Sequence, residues 1–584
     1  MNPINRRDFV KAVSAAPLLL SHATSLSEVP NLVGPTRQGS TQLDQRYELT
    51  LHRVLEGVSP KYTDDFLLAD VKPTAERRFT EYSGDLSGRY IGALATAARV
   101  YGTGVPRLDA LVDKVIALQK PEGYFGATFH FDHPSDADMA LLWGNGRLLV
   151  GLIEYYRFRP SESVLAASRR IGEFLVHVSP LMLSREIRDG FGAKHFASSY
   201  ICWTQQTEGL ALLYGITKEE RYRKLAQEIA AVIERRPGDH VHGYLTSLRG
   251  VMELHSLTHD PRLLAQCESA WNEITASKDL LLTGGVPEGW SPNNHRTEGC
   301  GEADWVRFNL QLWNATGKSN YLSSAERAIF NELAFNQFAT GDFGHRVYTE
   351  TGLPAVGAAR AWWCCSLHGL RCFPDIRECA FGATKSGILY QVPVDGKIES
   401  PSLSAIAESD LSRTGTVRIR ITGALKDKAR VAVRKPAWAD SVHLRVSGAM
   451  VPPVSDTESV SAEKVWAVGE LIEVKYTMKL RSEPVADDRE VFWLGPWLLG
   501  ASAADNPGYF NELTTQNQLL GTAASVDEQS ASGPFFIPVA AAEVGYAQAE
   551  FPDQPGRVKL RAIAEQTGQP TTSWETRFLV RRST

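Results

Sequence analysis

Two short segments far apart in the chain carry side chains that could hold one metal ion. Glu298 and Cys300 stand two positions apart, and the adjacent cysteines Cys364 and Cys365 follow later. Zinc takes four ligands of sulfur, nitrogen or oxygen type, so this carboxylate and these three thiols could fill one tetrahedron. Such a ligand set carries net negative charge, which is unusual for a purely structural site. Alternatively, the cysteines are buried and inert, or the adjacent pair forms a strained vicinal disulfide.

The residues around this cluster resemble glycoside hydrolase family 127, the retaining β-L-arabinofuranosidases. In that family an E-x-C segment and a later C-C pair bind zinc, and the first cysteine of the pair is the nucleophile. The resemblance implies that Cys364 is the nucleophile and that Glu298, Cys300 and Cys365 complete the zinc site with it. Further matching segments lie at 119–124, 283–285, 434–438 and 494–499.

A retaining mechanism also needs a carboxylic acid that protonates the leaving oxygen. Glu288 resembles the acid/base glutamate of the family, which follows a T-G-G element and precedes the E-x-C segment. The loop between Gly285 and Glu288 is shorter than the family usually has, so Glu302 is kept as the alternative. A solvated loop glutamate is the non-catalytic interpretation of Glu288.

The sugar contacts are expected to differ from those of the family. The family places histidines in helices that correspond to 143–147 and 246–249, and this chain lacks them there. The candidates to replace them are His240, His242, His295 and His368. Tryptophans that could stack on a sugar face are Trp290, Trp305, Trp362 and Trp363. We predict sugar contacts from His242, Trp290 and Trp363, against the alternatives of a structural histidine and of core packing.

Composition places the chain among soluble multidomain proteins. It has 584 residues, 43% hydrophobic and 22% charged, which predicts two or three domains. A formal net charge of −5 gives no basic surface for a phosphate backbone, so nucleic acid is not an expected partner. Seven cysteines in so long a chain do not make a disulfide framework. The four outside the cluster are predicted to be buried, with the last two as reserve zinc ligands: Cys202, Cys267, Cys372 and Cys379.

The N-terminus resembles a twin-arginine export signal. Arg6 and Arg7 precede a short apolar run at 12–20 and a stretch of mostly small residues. We therefore predict a signal peptide over 1–30 and a periplasmic or secreted enzyme, the alternative being an ordinary basic N-terminus. No other stretch reaches the roughly 18 apolar residues that a transmembrane helix needs.

The first two thirds of the chain predicts helical hairpins. Five polar turns, each between an apolar helix end and a helix start, recur at similar intervals. They lie at 100–104, 159–163, 215–220, 258–261 and 315–319. Asp260 before Pro261 predicts an N-cap, and Thr217 with Glu220 predicts a capping box. A sixth hairpin in the first or last stretch would complete an (α/α)6 barrel over 40–382.

After this region the hydrophobic period changes to two. Val417, Ile419 and Ile421 alternate with polar residues, which predicts half-buried antiparallel strands and a β-sandwich over 383–484. A second β domain is predicted over 485–584, with 492–499 as one of its strands. The fold class is therefore an (α/α)6 helical barrel followed by antiparallel β-sandwich domains.

These observations favour an exported, zinc-dependent, retaining exo-glycosidase. Its expected partner is an oligosaccharide or glycan substrate, with an L-arabinofuranoside as the first guess. The rival enzyme is a lyase or unsaturated-uronide hydrolase on the same barrel, which would work without thiols. A non-catalytic carbohydrate-binding protein with structural zinc is the rival of another class. The sugar, the linkage and the oligomeric state do not follow from the sequence.

Overall fold

A computed structural model describes most of the chain in two compact units. The described residues are 42–58, 60–72, 77–191, 197–290, 296–347, 360–450, 454–455, 458–485, 488–510, 518–527, 541–547, 556–565 and 574–580. One unit comprises 42–46 with 377–478, and the other comprises 47–376 with 479–584. Among these residues no helix is both long enough and apolar enough to cross a lipid bilayer.

Helices make up most of the larger unit. In chain order they are α1 Gln42–Glu56, α2 Asp64–Leu68, α3 Asp85–Tyr101, α4 Leu108–Ile116, α5 Asp136–Phe158, α6 Glu162–Met182, α7 Arg185–Gly190, α8 Ser199–Thr204, α9 Gln206–Thr217, α10 Glu220–Ala230, α11 Val241–Thr258, α12 Pro261–Ala276, α13 Gly299–Thr316, α14 Ser319–Arg327, α15 Ala334–Asn336, α16 Trp363–Glu378 and α17 Leu411–Thr414. A π-helical turn, Ala328–Leu333, joins α14 to α15.

Strands form a small sheet beside the helices and three larger sheets after them. In chain order they are β1 Arg296–Glu298, β2 Gly344–Val347, β3 Arg360–Ala361, β4 Phe381–Thr384, β5 Gly387–Tyr390, β6 Gly396–Glu399, β7 Leu403–Asp410, β8 Thr416–Ala424, β9 Ala429–Arg434, β10 Ser441–Val446, β11 Ala449–Met450, β12 Val454–Ser455, β13 Ser459–Lys464, β14 Leu471–Thr477, β15 Leu480–Pro484, β16 Arg489–Leu494, β17 Trp497–Ser502, β18 Gln518–Asp527, β19 Ala541–Ala547, β20 Gly556–Ala562, β21 Trp574–Glu575 and β22 Phe578–Val580.

Helices buried on nearly all sides alternate along the chain with helices buried on one face. Within the described ranges the first kind comprises α3, α5, α9, α11, α13 and α16, and the second comprises α1, α4, α6, α10, α12 and α14. Six inner and six outer helices confirm the (α/α)6 barrel. Inner helices can approach closely where glycines meet, because a Cβ built on Gly151 of α5 would lie 2.2 Å from the carbonyl oxygen of Gly88 on α3.

The sixth hairpin is divided between the two ends of the barrel sequence. Its outer helix is α1 and its inner helix is α16, and Tyr47 of α1 packs its ring 6.2 Å from that of Phe373 on α16. The five predicted turns all separate an inner helix from an outer one, and Asp260 caps α12 by accepting from the Arg262 N–H. The predicted capping box is wrong: Thr217 is the last residue of α9, and Glu219 is the N-cap of α10.

The smaller unit is a sandwich of two mainly antiparallel sheets. One has the strand order β11-β10-β14-β8-β7-β6, and the other has the order β12-β13-β9-β5-β4. The predicted alternation on β8 is confirmed, since Val417, Ile419 and Ile421 are fully buried. Ile419 is aligned with Ile472 of β14. The alternation gives each of these two strands one apolar face, as the period of two requires.

The last strands form an eight-stranded sheet in the larger unit, in the order β15-β16-β22-β18-β19-β20-β17-β21 with β16 also pairing β17. The strand predicted at 492–499 is in fact a hairpin. It turns at Gly495, whose φ of 56° lies in the left-handed region that glycine adopts at low cost. The side chain of Asn331, in the π-helical turn, binds this hairpin through Pro496 O and Leu498 N. The predicted boundaries at 382 and 484 stay predictions, and the predicted signal peptide lies outside the described residues.

Candidate active site

The candidate site lies where inner helices begin. Glu298 ends β1 and directly precedes α13, whose first turn contains Cys300. Cys364 and Cys365 occupy the first turn of α16. Helix N-termini carry partial positive charge and lower the pKa of thiols placed there. The fold therefore brings three thiols and one carboxylate together at the positively polarised ends of two inner helices.

The spacing of these four side chains suits a tetrahedral metal site. One ligand atom from each residue of this thiol cluster (Glu298, Cys300, Cys364 and Cys365) lies within 4.8 Å of every other. The Cys365 sulfur is 3.7 Å from the sulfur of Cys300, 3.9 Å from that of Cys364 and 3.8 Å from Glu298 Oε1. Sulfurs bound at about 2.3 Å to one tetrahedral zinc stand about 3.8 Å apart, the edge of that tetrahedron. The three distances at Cys365 are therefore compatible with a tetrahedral metal site, and the four residues could hold a metal ion.

The three thiols are not equivalent. Cys300 and Cys365 are fully buried, whereas Cys364 is half-buried. Hydrogen bonds from the other two thiols lower the pKa of Cys364 well below its usual range. Burial raises the pKa of Cys300 and of Cys365. Cys364 is thus both the least buried of the three residues and the thiol that most readily becomes a thiolate.

Glu288 lies close to the thiol cluster and is held at both its backbone and its side chain. Its N–H donates to Arg296 O, and its carbonyl accepts from Val241 N at the start of α11. Its carboxylate pairs with Arg296 and lies 3.6 Å from His345 Nε2. His240 stands between Glu288 and Glu298, with ligand-type atoms of all three within 4.8 Å of one another.

His345 has a defined tautomer because of Trp362. The Trp362 indole N–H donates to His345 Nδ1 at 2.9 Å, so the ring proton of a neutral His345 is on Nε2, which faces Glu288. Strand pairing places His345 opposite Glu298. His240 also contacts Glu298, with its Nε2 2.8 Å from Glu298 Oε2. Burial alone would lower the pKa of His240, but the carboxylate of Glu298 outweighs this and raises it.

Glu302, the alternative acid, lies in a different environment. It is fully buried, and its Oε1 accepts from Val286 N at 3.0 Å. Burial and the nearby carboxyl of Glu332 raise its pKa well above the usual range. Glu332 accepts in turn from the Thr297 hydroxyl at 2.8 Å. These two carboxyls support the segments that carry Glu288 and Glu298, and a ligand has no direct route to them.

Behind the thiol cluster, Arg89 connects it to a second group of polar side chains. The guanidinium of Arg89 lies 3.6 Å from the Cys300 sulfur, 2.9 Å from His242 Nε2 and 3.3 Å from His368 Nδ1. Asp85 accepts from Arg89 Nε at 2.9 Å. The arginine therefore places one positive charge beside the thiols, where it offsets part of their negative charge.

His242, Asp304 and His368 form this second group, which we call the histidine cluster. Asp304 Oδ2 lies 2.6 Å from His242 Nδ1, and Asp304 Oδ1 lies 2.8 Å from His368 Nε2. Asp304 also accepts from Thr246 and Arg249. With Arg89 donating to the other nitrogen of each ring, both histidines are neutral. Burial is the main cause that lowers the pKa of His242, to about 4.

The residues predicted to contact the sugar differ in how deeply they are buried. Trp363 is half-buried beside Cys364. Trp290 is only 3% exposed and lies under the guanidinium of Arg235, so it offers little surface to a ligand. His242 is buried among charged partners. His295 lies outside the described residues, and the four remaining cysteines are buried free thiols outside the thiol cluster.

Sequence reasoning missed Arg89, Asp304 and His345. Arg89 stands in a helix of mostly small residues, and Asp304 lies four positions after Cys300 on an otherwise buried helix. A charge inside a buried segment must find a partner, which was the available signal for both. His345 had no comparable signal, because its position depends on the pairing of β1 with β2.

A helical barrel with a cluster of thiols and carboxylates at the ends of its inner helices, followed by β domains, is the arrangement of a glycoside hydrolase. Family profiles agree with it. The profile described as "Beta-L-arabinofuranosidase, GH127 catalytic domain" matches residues 71–378, and the GH127 middle-domain profile matches 390–478. The chain belongs to glycoside hydrolase family 127.

Solved structures with the same fold cover nearly the whole chain. A GH127 β-L-arabinofuranosidase from Geobacillus stearothermophilus T6 is 14% identical, with a TM-score of 0.69 over 92% of this chain and 98% of that one. A GH127 β-arabinofuranosidase is 15% identical, with a TM-score of 0.69 over 93% and 96%. A third structure, described as a glycoside hydrolase, is 16% identical, with a TM-score of 0.66 over 86% and 95%. No curated protein matches the sequence.

Proposed function

We propose that this chain is an exported, zinc-dependent, retaining exo-glycosidase that releases a terminal β-L-arabinofuranose or a similar five-membered sugar. The observation that carries the proposal is the spacing of the thiol cluster. The Cys365 sulfur lies 3.7–3.9 Å from the other two sulfurs and from one Glu298 oxygen, which is close to the edge length of a zinc tetrahedron, and Cys364 is only half-buried.

Glu298, Cys300, Cys364 and Cys365 would hold the zinc ion. Zinc, when bound, removes the thiol protons and so supplies Cys364 as a thiolate at neutral pH. Arg89 keeps a positive charge against the Cys300 sulfur, and His240 does the same against Glu298 if it is protonated. These two neighbours reduce the net negative charge that a carboxylate and three thiolates bring to one ion.

The first displacement joins Cys364 to the sugar. The sulfur of Cys364 attacks C1, a C–S bond forms, the glycosidic C–O bond breaks, and Glu288 gives its proton to the leaving oxygen. In the second displacement Glu288 takes a proton from water, the water oxygen bonds to C1, and the C–S bond breaks. Two displacements at C1 preserve the anomeric configuration. His345 Nε2 lies 3.6 Å from the Glu288 carboxyl, and Arg296 pairs with the same carboxyl, so both residues would help to position it.

The contrast between Glu288 and Glu302 supports Glu288 as the acid/base. The Glu288 carboxyl is 13% exposed, and one of its oxygens lies within 4.8 Å of an oxygen of Glu298 in the thiol cluster. Glu302 is fully buried, and its Oε1 accepts a hydrogen bond from Val286 N. A general acid must reach the leaving oxygen directly or through one water, so the partial exposure of Glu288 favours it over the fully buried Glu302.

The substrate proposal rests on family membership and on the names of the relatives, two of which are described as arabinofuranosidases. The resemblance does not extend to all sugar contacts. Trp363 stays a proposed sugar contact because it is accessible beside Cys364, whereas the buried state of His242 and Trp290 favours supporting roles. Export is proposed from the twin arginines alone. Replacing Arg6 and Arg7 by lysine should leave the enzyme in the cytoplasm, as fractionation of cells would show.

Hydrolysis of a panel of nitrophenyl furanosides and pyranosides tests the proposal, with NMR detection of the released anomer. We expect a β-L-arabinofuranoside or a related furanoside to be cleaved with retention. Glu288→Gln should slow substrates with poor leaving groups by roughly 10²–10⁴-fold and spare the first step of activated aryl glycosides. Glu302→Gln is the matched control and should not show this dependence on the leaving group. Inversion, or the same pattern in Glu302→Gln alone, would contradict the mechanism.

A further inference from the structure

A small cavity lies inside the barrel, next to the histidine cluster. Its volume is about 10 Å³, which is room for one water-sized particle. It lies between α3, α5 and α16, and the charged or polar side chains that line it are Arg89, Arg147, His368 and Arg371. Each of these four residues is at most 7% exposed. Among the described residues, three guanidinium groups and no carboxylate therefore line a space for a single small particle.

Two of these arginines have hydrogen-bond donors that are not used. In the part of the chain that the structure describes, Nε and Nη2 of Arg147 and Nε of Arg371 are buried without a hydrogen-bond partner. Arg89 differs, because its nitrogens contact Asp85 and both rings of the histidine cluster. Burying a charged N–H group without an acceptor costs free energy, so such groups normally have a partner. Arg147 and Arg371 are therefore suited to bind one more acceptor.

The carboxylates near these two arginines are shared. Glu208 lies 3.3 Å from Arg147, 3.5 Å from Arg371 and 3.1 Å from Arg249. Glu154 is the other carboxylate that pairs with Arg371, at 3.1 Å. Burial, and then the charge of a neighbouring arginine, lowers the pKa of Arg147 to about 10 and lowers that of Arg371 as well. Both side chains are still cations at neutral pH, so further negative charge beside them would be stabilising.

The side chains that line the cavity favour an anion over a water molecule. A guanidinium has five donors and no acceptor, and both ring nitrogens of His368 are already engaged by Arg89 and Asp304. A water molecule would accept from the arginines but would find no free acceptor for its own hydrogens among the described side chains of the lining. A monoatomic anion accepts from every direction. Phosphate, sulfate or a carboxylate has too many atoms for this volume.

We propose that one chloride ion binds in this cavity, with Arg147 and Arg371 as its main donors, and that it stabilises the barrel. The ion would join three inner helices through side chains that otherwise lack acceptors. Arg89 lines the same cavity and contacts the Cys300 sulfur at 3.6 Å, so the ion would also support the groups behind the thiol cluster. This inference is independent of the proposed glycosidase function, because it concerns the folded barrel and requires no turnover.

Bromide replaces chloride in such sites and can be located by its anomalous scattering. Crystals of the wild-type protein, purified and grown in bromide without chloride, should show one anomalous peak in the cavity, in contact with Arg147 and Arg371. Preparing the protein in bromide from the start avoids dependence on slow exchange into a buried site. A cavity that contains only a water molecule, with no anomalous peak, would overturn the proposal.

Melting temperatures in potassium chloride and in potassium gluconate at equal ionic strength test whether the ion stabilises the protein. Gluconate is too large for the cavity, so the wild type should melt about 2–4 °C higher in saturating chloride. Arg147→Met should lose this difference between the salts. Arg307→Met is the matched control, at a buried arginine outside the cavity lining, and should keep it. Equal melting temperatures of the wild type in both salts would overturn the proposal, and a bromide peak would then mark an adventitious ion only.

Discussion

The thiol cluster and the histidine cluster lie in one barrel, and both are made of metal-ligating residue types within 4.8 Å of one another. They differ in what their polar atoms contact. In the histidine cluster, Asp304 accepts from both rings, and Arg89 occupies the remaining nitrogen of each ring. In the thiol cluster, the Cys365 sulfur lies 3.7 Å from the sulfur of Cys300 and 3.9 Å from that of Cys364.

This difference shows that residue type alone does not define a metal site. Both ring nitrogens of His242 and of His368 are engaged by Asp304 or Arg89, which leaves neither ring a free lone pair for a cation. In the thiol cluster Arg89 contacts only the Cys300 sulfur. The histidine cluster is instead a supporting shell, because Arg89 extends it to the Cys300 sulfur. Outer-shell groups of this kind set the charge and orientation of the ligands in front of them.

Removing a thiol should have the largest effect on zinc content and activity. In Cys365→Ala the tetrahedron loses one sulfur, so we expect loss of most of the zinc and at least about a 10³-fold loss of activity. Metal analysis of the purified protein, which should otherwise contain about one zinc ion per chain, measures the first effect. His368→Gln is the control from the other cluster and should keep its zinc. Equal zinc loss in both variants would mean that the two clusters are not distinct.

Asp304→Asn should chiefly affect stability. The substitution removes the carboxylate that neutralises Arg249 and receives both histidine rings, and breaking such a buried pair costs about 3–5 kcal/mol in the free energy of unfolding. Urea denaturation measures this cost. Glu253→Gln removes a more exposed partner of Arg157 and should cost less than about 1 kcal/mol. Similar midpoints for the two variants would contradict the assigned importance of Asp304.

Acid should destabilise the protein through His242. Its pKa of about 4 in the folded state lies below the value of about 6.5 in an unfolded chain, so the unfolded state takes up the proton first. The stability that this group contributes is therefore complete above pH 6.5 and is lost as the pH falls toward 4, by about 3 kcal/mol. The groups that face its ring are Asp304, Arg89, His368 and His240. Urea midpoints at pH 7 and pH 4.5 should differ less in His242→Gln, and an equal difference would refute this assignment.

The smallest of these effects is expected at Arg89. Arg89→Lys keeps the positive charge but cannot donate to Asp85, both histidines and the Cys300 sulfur at once. As an outer-shell change it should lower activity or zinc affinity by about 10–100-fold. Zinc titration against a competing chelator, together with kcat, separates these two effects. Wild-type values for both would show that the histidine cluster does not act on the thiol cluster.

The parts of the fold that follow from local patterns were predictable. Turns at similar intervals predicted five hairpins, and alternating apolar residues predicted β8, because each pattern is set by neighbours along the chain. The division of the sixth hairpin between α1 and α16 was not predictable, since closing the barrel depends on tertiary packing. The same limit applies to 492–499, where Gly495 and Pro496 in an apolar run gave a hairpin rather than one strand.

At the site, sequence reasoning named the four residues that the structure brings together in the thiol cluster, because each of the two segments is a short motif that resembles the family. It did not identify the residues that contact this cluster. Arg89, Asp304 and His345 come from three separate elements, and their importance arises only from contacts made in the folded barrel. For the same reason, His242 was assigned to the sugar, although the structure places both its nitrogens against protein groups.

Covalent trapping would show whether Cys364 is the nucleophile. Replacing Cys364 removes a proposed zinc ligand together with the nucleophile, so a mechanism-based label on the intact, zinc-loaded enzyme is more informative. An activated furanose-type epoxide or haloacetamide should add one sugar-sized mass, and peptide mapping by mass spectrometry should place it on Cys364 as a thioether. A label on a carboxylate such as Glu288, with Cys364 unmodified, would contradict the thiolate mechanism even if the zinc site is present.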